Sequence, residues 1–177
     1  LDDQQIEHIF LFAPLHDLGK LAIPDRILLK EGPLDAEEYG IMRTHSREGR
    51  KMIDKLLLNY GLNGVTHVAM LRNIALYHHE AVDGSGYPEG LAGDEIPIEA
   101  RIVAVADVFD ALTSRRPYKP AWTFERAVDL LREGRGSHFD PGCVDAFLSR
   151  WDEVLDIHTR FLDESESGAP LSYSIAQ

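Results

Sequence analysis

Apolar residues recur at helical spacing along most of this 177-residue sequence, and few segments show the alternation that a strand requires. The pattern is strongest over residues 99–114, where apolar side chains occupy most positions. A helix that is apolar on nearly every side has to be buried. The sequence therefore predicts an all-α helical bundle with this segment at its centre.

Caps and breakers mark further helices on either side of this segment. An apolar stripe leads into His16 and consists of Ile6, Phe10, Ala13 and Leu15. Asp35 and Glu38 make a capping-box pattern at the start of a helix that we expect to carry His45. The other predicted helices span residues 47–58, 65–79, 124–133 and 141–161.

A long connection rich in glycine and proline spans residues 80–97. Segments of this length inside a compact domain are usually functional or disordered. Strong helical patterns flank this one on both sides. We therefore expect a functional loop rather than a disordered one.

The chain is predicted to contain one domain, residues 1–162, and a flexible polar tail, residues 163–177. It begins at Leu1, which indicates a piece of a longer chain or a processed one. We find no signal peptide and no apolar run near the roughly 18 residues of a membrane span. The single cysteine, Cys143, excludes an internal disulfide and fits a reducing compartment, so we expect a cytoplasmic protein.

The formal net charge of the chain is −12. Binding to polymeric nucleic acid depends on a basic surface, so this charge argues against such a partner. It does not exclude a small phosphate substrate, because bound metal ions would dominate the local field.

Six residues with imidazole or carboxylate side chains occur at or near predicted helices. They are His16, Asp17, His45, His78, His79 and Asp107. Neutral imidazole and carboxylate are ligands for iron, manganese or zinc. Six ligands exceed the needs of one tetrahedral zinc and suit two ions. Two ions favour displacement at phosphorus, because they stabilise the attacking and the leaving oxygen.

Within this set, the adjacent His16 and Asp17 would diverge by about 100° on an ideal helix. One ion could not easily take both, but two neighbouring ions could share them, with Asp17 as the bridging carboxylate. Asp107 lies in the most apolar helix, and its alternative interpretation is a buried carboxylate satisfied by hydrogen bonds or an arginine. His45 alone would also fit a structural or exposed histidine.

Cations follow two of these residues. Lys20 lies three residues after Asp17, where it could hold a phosphate oxygen or assist the leaving group. Its alternative is a surface lysine. A basic cluster after residue 114 contains Arg115, Arg116 and Lys119. It could bind substrate phosphates, or it could only offset the dipole at a helix end.

Several motifs of the sequence resemble the HD-GYP domain, a branch of the HD phosphohydrolase superfamily. Leu-His-Asp-Leu-Gly-Lys at residues 15–20 is similar to the HD signature, and residues 79–80 and 83–88 are similar to the second signature. The pattern continues in the same order at residues 106–113, 116–118 and 139–141.

This resemblance implies an HD-domain helical bundle with a long Gly/Pro-rich loop. It implies cyclic di-GMP phosphodiesterase activity that yields the linear dinucleotide and, after a second cut, GMP. It implies a centre of two divalent ions, iron or manganese, held by the same six residues, with Asp17 and Lys20 as catalytic residues. The implied substrate contacts are Lys20, Tyr87, Arg116 and Lys119.

The resemblance also implies partners. The loop formed by Gly86, Tyr87 and Pro88 is tied in this family to partner contacts, including diguanylate cyclase domains. Family members commonly follow a receiver or sensor domain, so we expect an upstream regulatory domain in the full-length protein.

One feature departs from part of the family. Members with a third metal take a Glu and a His from a helix upstream of the HD signature. Only 15 residues precede His16 here, and Glu7 and His8 lie too close to replace that pair. We therefore expect the upstream helices to be absent from this chain, and we expect no trinuclear site.

Two other functions stay open. The chain could be an HD phosphohydrolase for another nucleotide. It could also be a signalling module that binds cyclic di-GMP or a protein without cutting. The complete ligand set argues against the second function, because the loss of a ligand is the usual sign of an inactive domain.

Overall fold

The computed structural model describes residues 1–62, 67–114 and 120–167, with side chains described as far as residue 160. The helices are α1 (Asp3–Phe12), α2 (Asp25–Leu28), α3 (Ala36–Arg43), α4 (His45–Asn59), α5 (Val68–Tyr77), α6 (Ile98–Thr113), α7 (Phe124–Glu133), α8 (Pro141–Ser149) and α9 (Trp151–Ser167). Short 3₁₀ turns cover Ala13–Leu15, Leu18–Ala22 and Gly93–Glu95. In these described ranges, β-pairing is limited to isolated bridges at Asp83–Ala92 and Arg135–Phe139. The predicted all-α class is confirmed.

Helix α5 contributes to two apolar clusters. The first joins α1, α5 and α6, and it consists of Ile9, Met70, Ile74 and Val103. The second joins α4 and α5, and it consists of Ile53, Leu57, Val68 and Ala75. Helix α6, which we expected at the centre, carries many buried residues. The helix that both clusters share is nevertheless α5.

Helix α1 packs through a face that matches the stripe noted in the sequence only in part. Ile9 is buried, and Phe12 and Ala13 pack against the same cluster. These three positions have the i, i+3, i+4 spacing of one helix face. Ile6 and Phe10 lie at the edge of this face and are 54% and 63% exposed. Helix α1 therefore reaches the described core through Ile9, Phe12 and Ala13, and of these three only Ala13 belongs to the predicted stripe.

The helix predicted to carry His45 ends before that residue. Helix α3 begins as predicted, with the Asp35 carboxylate accepting the Glu38 backbone N–H at 2.9 Å. It ends at Arg43 and is capped by Thr44, whose hydroxyl donates to the Ile41 carbonyl at 2.7 Å. Such a side-chain bond competes with the helical backbone bond. His45 consequently becomes the first residue of α4.

Gly19 allows the turn Leu18–Ala22 to lie directly against α4. A Cβ placed on Gly19 would fall 1.8 Å from the His45 carbonyl oxygen and 2.4 Å from the Gly49 nitrogen. Only a residue without a side chain fits this approach. The contact holds the segment after His16 and Asp17 against the first turn of α4.

The C-terminal region differs in part from its prediction. The predicted helix 124–133 is found as α7, whereas the predicted helix 141–161 is divided between α8 and α9. Contacts separate the chain into two compact units, Leu1–Val144 and Asp145–Gln177. Helix α9 extends to Ser167, and residues 168–177 of the expected tail lie outside the described residues. The division into residues 1–162 and 163–177 stays a prediction.

Candidate metal centre

The six predicted ligands come from four parts of the unit Leu1–Val144 and meet at one place. They are His16 and Asp17 between the first two 3₁₀ turns, His45 at the start of α4, His78 and His79 after the end of α5, and Asp107 within α6. The ring centroids of His16 and His78 are 5.0 Å apart, as are those of His45 and His79. The structure therefore brings together residues that the sequence only suggested as a set.

Backbone carbonyls orient three of the imidazoles. Nδ1 of His16, His45 and His78 lies 2.7, 2.7 and 2.9 Å from a carbonyl oxygen three or four residues earlier. A carbonyl can only accept, so each Nδ1 carries the hydrogen and each Nε2 is directed to the site. Metal-binding histidines are typically oriented in this way.

Three acceptor atoms converge in the interior of the site. Nε2 of His45 lies 3.4 Å from Nε2 of His78, and Oδ1 of Asp17 lies 3.3 and 3.9 Å from these nitrogens. Both imidazoles are buried, and Asp17 Oδ1 is a buried atom without a hydrogen-bond partner among the described residues. Buried lone pairs that face one another repel, and a cation between them relieves the repulsion.

The spacing of these atoms also fits a cation. Ligands roughly 2.1 Å from one ion are about 3.0 to 3.4 Å from each other. Two of the three distances fall at the upper end of that range, and the third is slightly longer. His79 completes a group whose ligand atoms all lie within 4.8 Å of one another. The cluster therefore fits a divalent metal ion.

The second oxygen of Asp17 faces other groups. Oδ2 lies 3.2 Å from Nε2 of His16 and accepts a hydrogen bond from the Lys20 ammonium. Oδ1 of Asp107 lies 3.4 Å from the same His16 nitrogen, which has no hydrogen-bond partner in the described part of the chain. Asp17 thus presents its two oxygens to two ligand groups, which is the arrangement that a bridging carboxylate requires.

Burial keeps the inner imidazoles neutral. It lowers the pKa of His45, and it lowers the pKa of His78 to about 4. Burial, followed by the neighbouring His78, also lowers the pKa of His79. Only a neutral imidazole offers a lone pair to a metal, so these three residues are in the form that binds.

The outer groups of the cluster are charged instead. Burial acts to lower the pKa of His16, but the carboxylates of Asp107 and Asp17 outweigh it and raise this pKa to about 10. Burial acts to raise the pKa of Asp17, but His16 and Lys20 hold it well below its usual range. Burial also acts to raise the pKa of Asp107, but the contact with His16 outweighs it and lowers this pKa. Both carboxylates are therefore ionised and favour a cation.

A buried carboxylate holds the Gly/Pro-rich loop beside the site. Glu80 is 3% exposed, and its two oxygens accept the backbone N–H groups of Glu89 at 2.7 Å and Leu91 at 3.0 Å. Gly86 packs against the same segment, since a Cβ on it would fall 2.2 Å from the Ala81 nitrogen. The loop is closely packed, in agreement with the expectation from its flanking helices.

Tyr87 joins this loop to the metal ligands. Its ring stacks on His79 with the centroids 4.7 Å apart at 28°, and it lies edge-on to His45 at 6.4 Å. Burial raises the pKa of Tyr87, so its hydroxyl stays protonated. The sequence named Tyr87 as a substrate contact, and the structure puts it in contact with two of the proposed ligands.

Other candidates from the sequence lie elsewhere. Asp110, a second acid near Asp107, is exposed and accepts a hydrogen bond from the Ser114 hydroxyl at 3.0 Å. The ring of His8 stacks on that of His67 at 4.2 Å, apart from the ligand group. The basic cluster of Arg115, Arg116 and Lys119 lies outside the described residues, so its role stays a prediction.

The sequence reasoning did not single out Arg43. Its guanidinium carbon lies 5.9 Å from the ring centroid of Tyr39 and 4.4 Å from that of Tyr87. Tyr39 and Arg43 are four residues apart on α3, and this spacing is a recognisable signal for a side-chain pair. Nothing in the sequence pattern indicated that Tyr87 would join them.

A family model described as HD domain matches residues 1–143, a stretch that contains all six ligands. The chain belongs to the HD domain family. This HD domain is 53% identical over 148 residues to the cyclic di-GMP phosphodiesterase response regulator RpfG of Xanthomonas campestris pv. campestris. That alignment covers 84% of this chain and 37% of the relative.

Two relatives from Vibrio cholerae are similar to this HD domain over a longer stretch. A probable cyclic di-GMP phosphodiesterase is 46% identical over 167 residues, which is 94% of this chain and 37% of that protein. A 3′3′-cGAMP-specific phosphodiesterase 2 is 45% identical over 163 residues, which is 92% of this chain and 30% of that protein. The chain thus spans about a third of the length of these relatives. Together with the family match, they confirm the expected HD-GYP type.

Proposed function

We propose that this HD domain hydrolyses a phosphodiester bond of cyclic di-GMP, giving the linear dinucleotide and, after a second cut, GMP. Two of the relatives described above are named as cyclic di-GMP phosphodiesterases. The observation that carries the proposal is the carboxylate of Asp17. It presents one oxygen to His45 and the other to His16. A ligand shared in this way suits two neighbouring ions, and paired ions suit displacement at phosphorus.

Two divalent ions, iron or manganese, are the cofactors that we propose. Imidazole and carboxylate ligands without a thiolate suit these metals. The first ion would bind His45, His78, His79 and Asp17 Oδ1. The second would bind Asp107, Asp17 Oδ2 and His16, and it would displace the proton that the two carboxylates hold on His16. Bound divalent cations supply Lewis acidity toward the phosphate and toward an attacking water.

The side chains around the ligands would position the substrate. The Lys20 ammonium lies beside Asp17, where it can bind a phosphate oxygen and stabilise charge on the leaving 3′ oxygen. The Tyr87 ring, which stacks on His79, would form one wall of the substrate site. Arg116 and Lys119 are proposed to bind phosphate, as the family resemblance implies.

Metal content and cyclic di-GMP turnover, measured on one anaerobic preparation loaded with Fe(II) or Mn(II), test this proposal. We expect about two ions per chain and release of the linear dinucleotide. Asp17→Asn should lose metal and reduce kcat by more than about 100-fold, because the shared ligand is lost. Full turnover by this variant with both ions retained would refute the assignment.

A second candidate substrate is 3′3′-cGAMP, because one relative at 45% identity is named as specific for it. Competition between cyclic di-GMP and 3′3′-cGAMP in one turnover assay discriminates between the two. A chain that holds both ions and binds cyclic di-GMP without cutting it would instead be a non-catalytic signalling module.

Partners and location are further proposals. The loop of Gly86, Tyr87 and Pro88 would contact diguanylate cyclase domains, and an upstream regulatory domain would control the site in the full-length protein. Among the described helices, none combines the length and the apolar character needed to cross a membrane. The cytoplasmic location stays a prediction from the single cysteine, Cys143.

A further inference from the structure

Arg43 is an exposed cation that contacts aromatic rings beside the metal centre. Its guanidinium carbon lies 4.4 Å from the ring centroid of Tyr87 and 5.9 Å from that of Tyr39, both within the range of a cation–π contact. Tyr87 in turn stacks on His79. A series of contacts therefore connects a proposed metal ligand to the surface at Arg43.

The partners of Arg43 differ from those of its neighbour Arg47. Arg47 donates to the Pro88 carbonyl and to the Glu89 carboxylate, each at 3.0 Å, so its guanidinium is bonded to the loop of residues 80–97. Arg43 is exposed and forms no ion pair with any residue in the described ranges. A guanidinium carries five N–H donors, and a cation–π contact does not engage them in an ion pair. Those donors are available to a ligand.

The available donors match the edge of a guanine base. Guanine presents two adjacent acceptors, O6 and N7, which arginine binds as a bidentate pair. Adenine presents one acceptor and one donor at the same place, so it cannot satisfy two N–H groups. Tyr39 beside Arg43 is 50% exposed, and an exposed aromatic residue offers a surface on which a base can stack.

A phosphate would also accept from Arg43, but the contacts around the site favour a base. Lys20 contacts Asp17 directly and therefore lies beside the position that the proposed function gives to the reacting phosphate. Arg43 reaches the ligands only through Tyr87 among the contacts of the described residues. The bases of a cyclic dinucleotide project away from its phosphates, which agrees with a recognition group set back from the metal centre.

We propose that Arg43 recognises a guanine base of the cyclic dinucleotide, with Tyr39 as the stacking surface. This inference rests on the proposed function for the identity of the ligand. It makes Arg43 a specificity-determining residue for guanine, distinct from the groups that act on the phosphate.

Arg43→Ala and Arg43→Lys test the inference on metal-loaded protein. Arg43→Ala should lower kcat/KM for cyclic di-GMP by about 5- to 150-fold, mainly through KM, since a bidentate contact to a base has that value. Arg43→Lys should show a similar loss, because an ammonium keeps the charge but lacks the planar fork. Arg132→Ala is the matched control, since Arg132 is exposed and pairs with Asp129 on α7.

A base-free diester separates base recognition from phosphate binding. Arg43→Ala should lose much less activity on bis(p-nitrophenyl) phosphate than on cyclic di-GMP. Competition binding measures the ratio of the affinities for cyclic di-GMP and cyclic di-AMP. In Arg43→Ala this ratio should fall by the same factor as the affinity for cyclic di-GMP. An equal loss on the base-free diester would overturn the inference, because it would place Arg43 at the phosphate. Thermal unfolding of each variant shows whether the fold is intact.

Equilibrium binding distinguishes the failure of this inference from the failure of the proposed function. A wild-type chain that binds cyclic di-GMP without cutting it refutes the proposed hydrolysis, and the affinity of Arg43→Ala still decides the role of Arg43. A wild-type chain that cuts cyclic di-GMP, with unchanged kinetics in Arg43→Ala, refutes the role of Arg43 alone.

Discussion

The two oxygens of Asp17 have different surroundings, and the difference defines the site. Oδ1 faces the neutral imidazoles of His45 and His78, whereas Oδ2 is near Lys20 and His16. The cationic neighbours keep the pKa of Asp17 low, so its carboxylate is ionised. An ionised carboxylate beside buried lone pairs attracts a cation, and this makes Asp17 the ligand on which we propose that metal binding depends.

Substitutions of Asp107 and Asp110, which both lie in α6, test the ligand group proposed for the second ion. Asp107→Asn should lower the metal content from about two ions to about one and reduce turnover by more than about 100-fold, because a neutral amide binds divalent ions weakly. Elemental analysis and cyclic di-GMP turnover check both effects. Asp110→Asn is the matched control, because Asp110 is exposed and bonded to Ser114. Full metal content in Asp107→Asn would show that this carboxylate serves only to pair with His16.

The loop of residues 80–97 depends on one side chain for its position. Glu80 lies just after α5, is buried, and accepts two backbone N–H groups of the loop. Because Tyr87 belongs to this loop and stacks on His79, the position of the loop determines the position of one ring beside the candidate site. At the scale of the element, we therefore expect Glu80 to act as a positioning residue for the candidate metal centre.

Loss of this carboxylate should loosen the loop. Glu80→Ala should reduce the free energy of unfolding by about 3 kcal/mol, because two backbone N–H groups of the loop lose a buried, charged acceptor. It should also make residues 84–93 more sensitive to limited proteolysis. Glu95→Ala is the control, since the exposed Glu95 accepts only the Ala92 N–H at 3.3 Å and should cost less than about 0.5 kcal/mol. Equal stability of both variants in urea would contradict this role of Glu80.

The contact between the turn Leu18–Ala22 and α4 is tested by a pair of glycines. Gly19→Ala should destabilise the fold by about 3 kcal/mol or more, because its methyl group would overlap the backbone at His45. Gly40→Ala should instead stabilise by about 0.5 to 1 kcal/mol, since Gly40 lies in α3 and its Cβ would meet nothing within 4 Å. Urea unfolding measures both. A Gly19→Ala chain as stable as the wild type would show that the turn can move away from α4.

At the scale of the whole molecule, the core and the site share helix α5. Met70 and Ile74 pack toward α1 and α6, and Ala75 packs in the cluster with α4. The end of the same helix leads into His78, whose Nδ1 donates to the Ile74 carbonyl at 2.9 Å. Packing around α5 therefore sets the position of two of the proposed ligands.

A core substitution should consequently affect metal binding as well as stability. Ile74→Ala should lower the free energy of unfolding by about 2 to 5 kcal/mol, because Ile74 is fully buried. It should also weaken Mn(II) binding, measured by titration at a temperature where the chain is folded. Ile157→Ala, at a position that is 49% exposed, should change neither by much. Unaltered Mn(II) affinity in Ile74→Ala would mean that the site is independent of the core.

Local patterns were sufficient for the all-α class and for most of the helices. The spacing of apolar residues and the cap at Asp35 depend on neighbours within one or two turns, and this cap is present in the structure. The six candidate ligands were recognisable as imidazole and carboxylate residues at or near predicted helices, and their role as ligands stays a prediction. Motif order added the family, which the match over residues 1–143 confirms.

Contacts between distant segments were not evident from such patterns. The break before His45, the close approach at Gly19 and the pairing of Arg43 with Tyr87 each depend on how helices pack. Packing is set by the summed fit of many side chains, and no local periodicity encodes it. The residue types and the order of the motifs therefore predicted the chemistry of the candidate site. Its geometry is decided by the packing of α3, α4, α5 and α6.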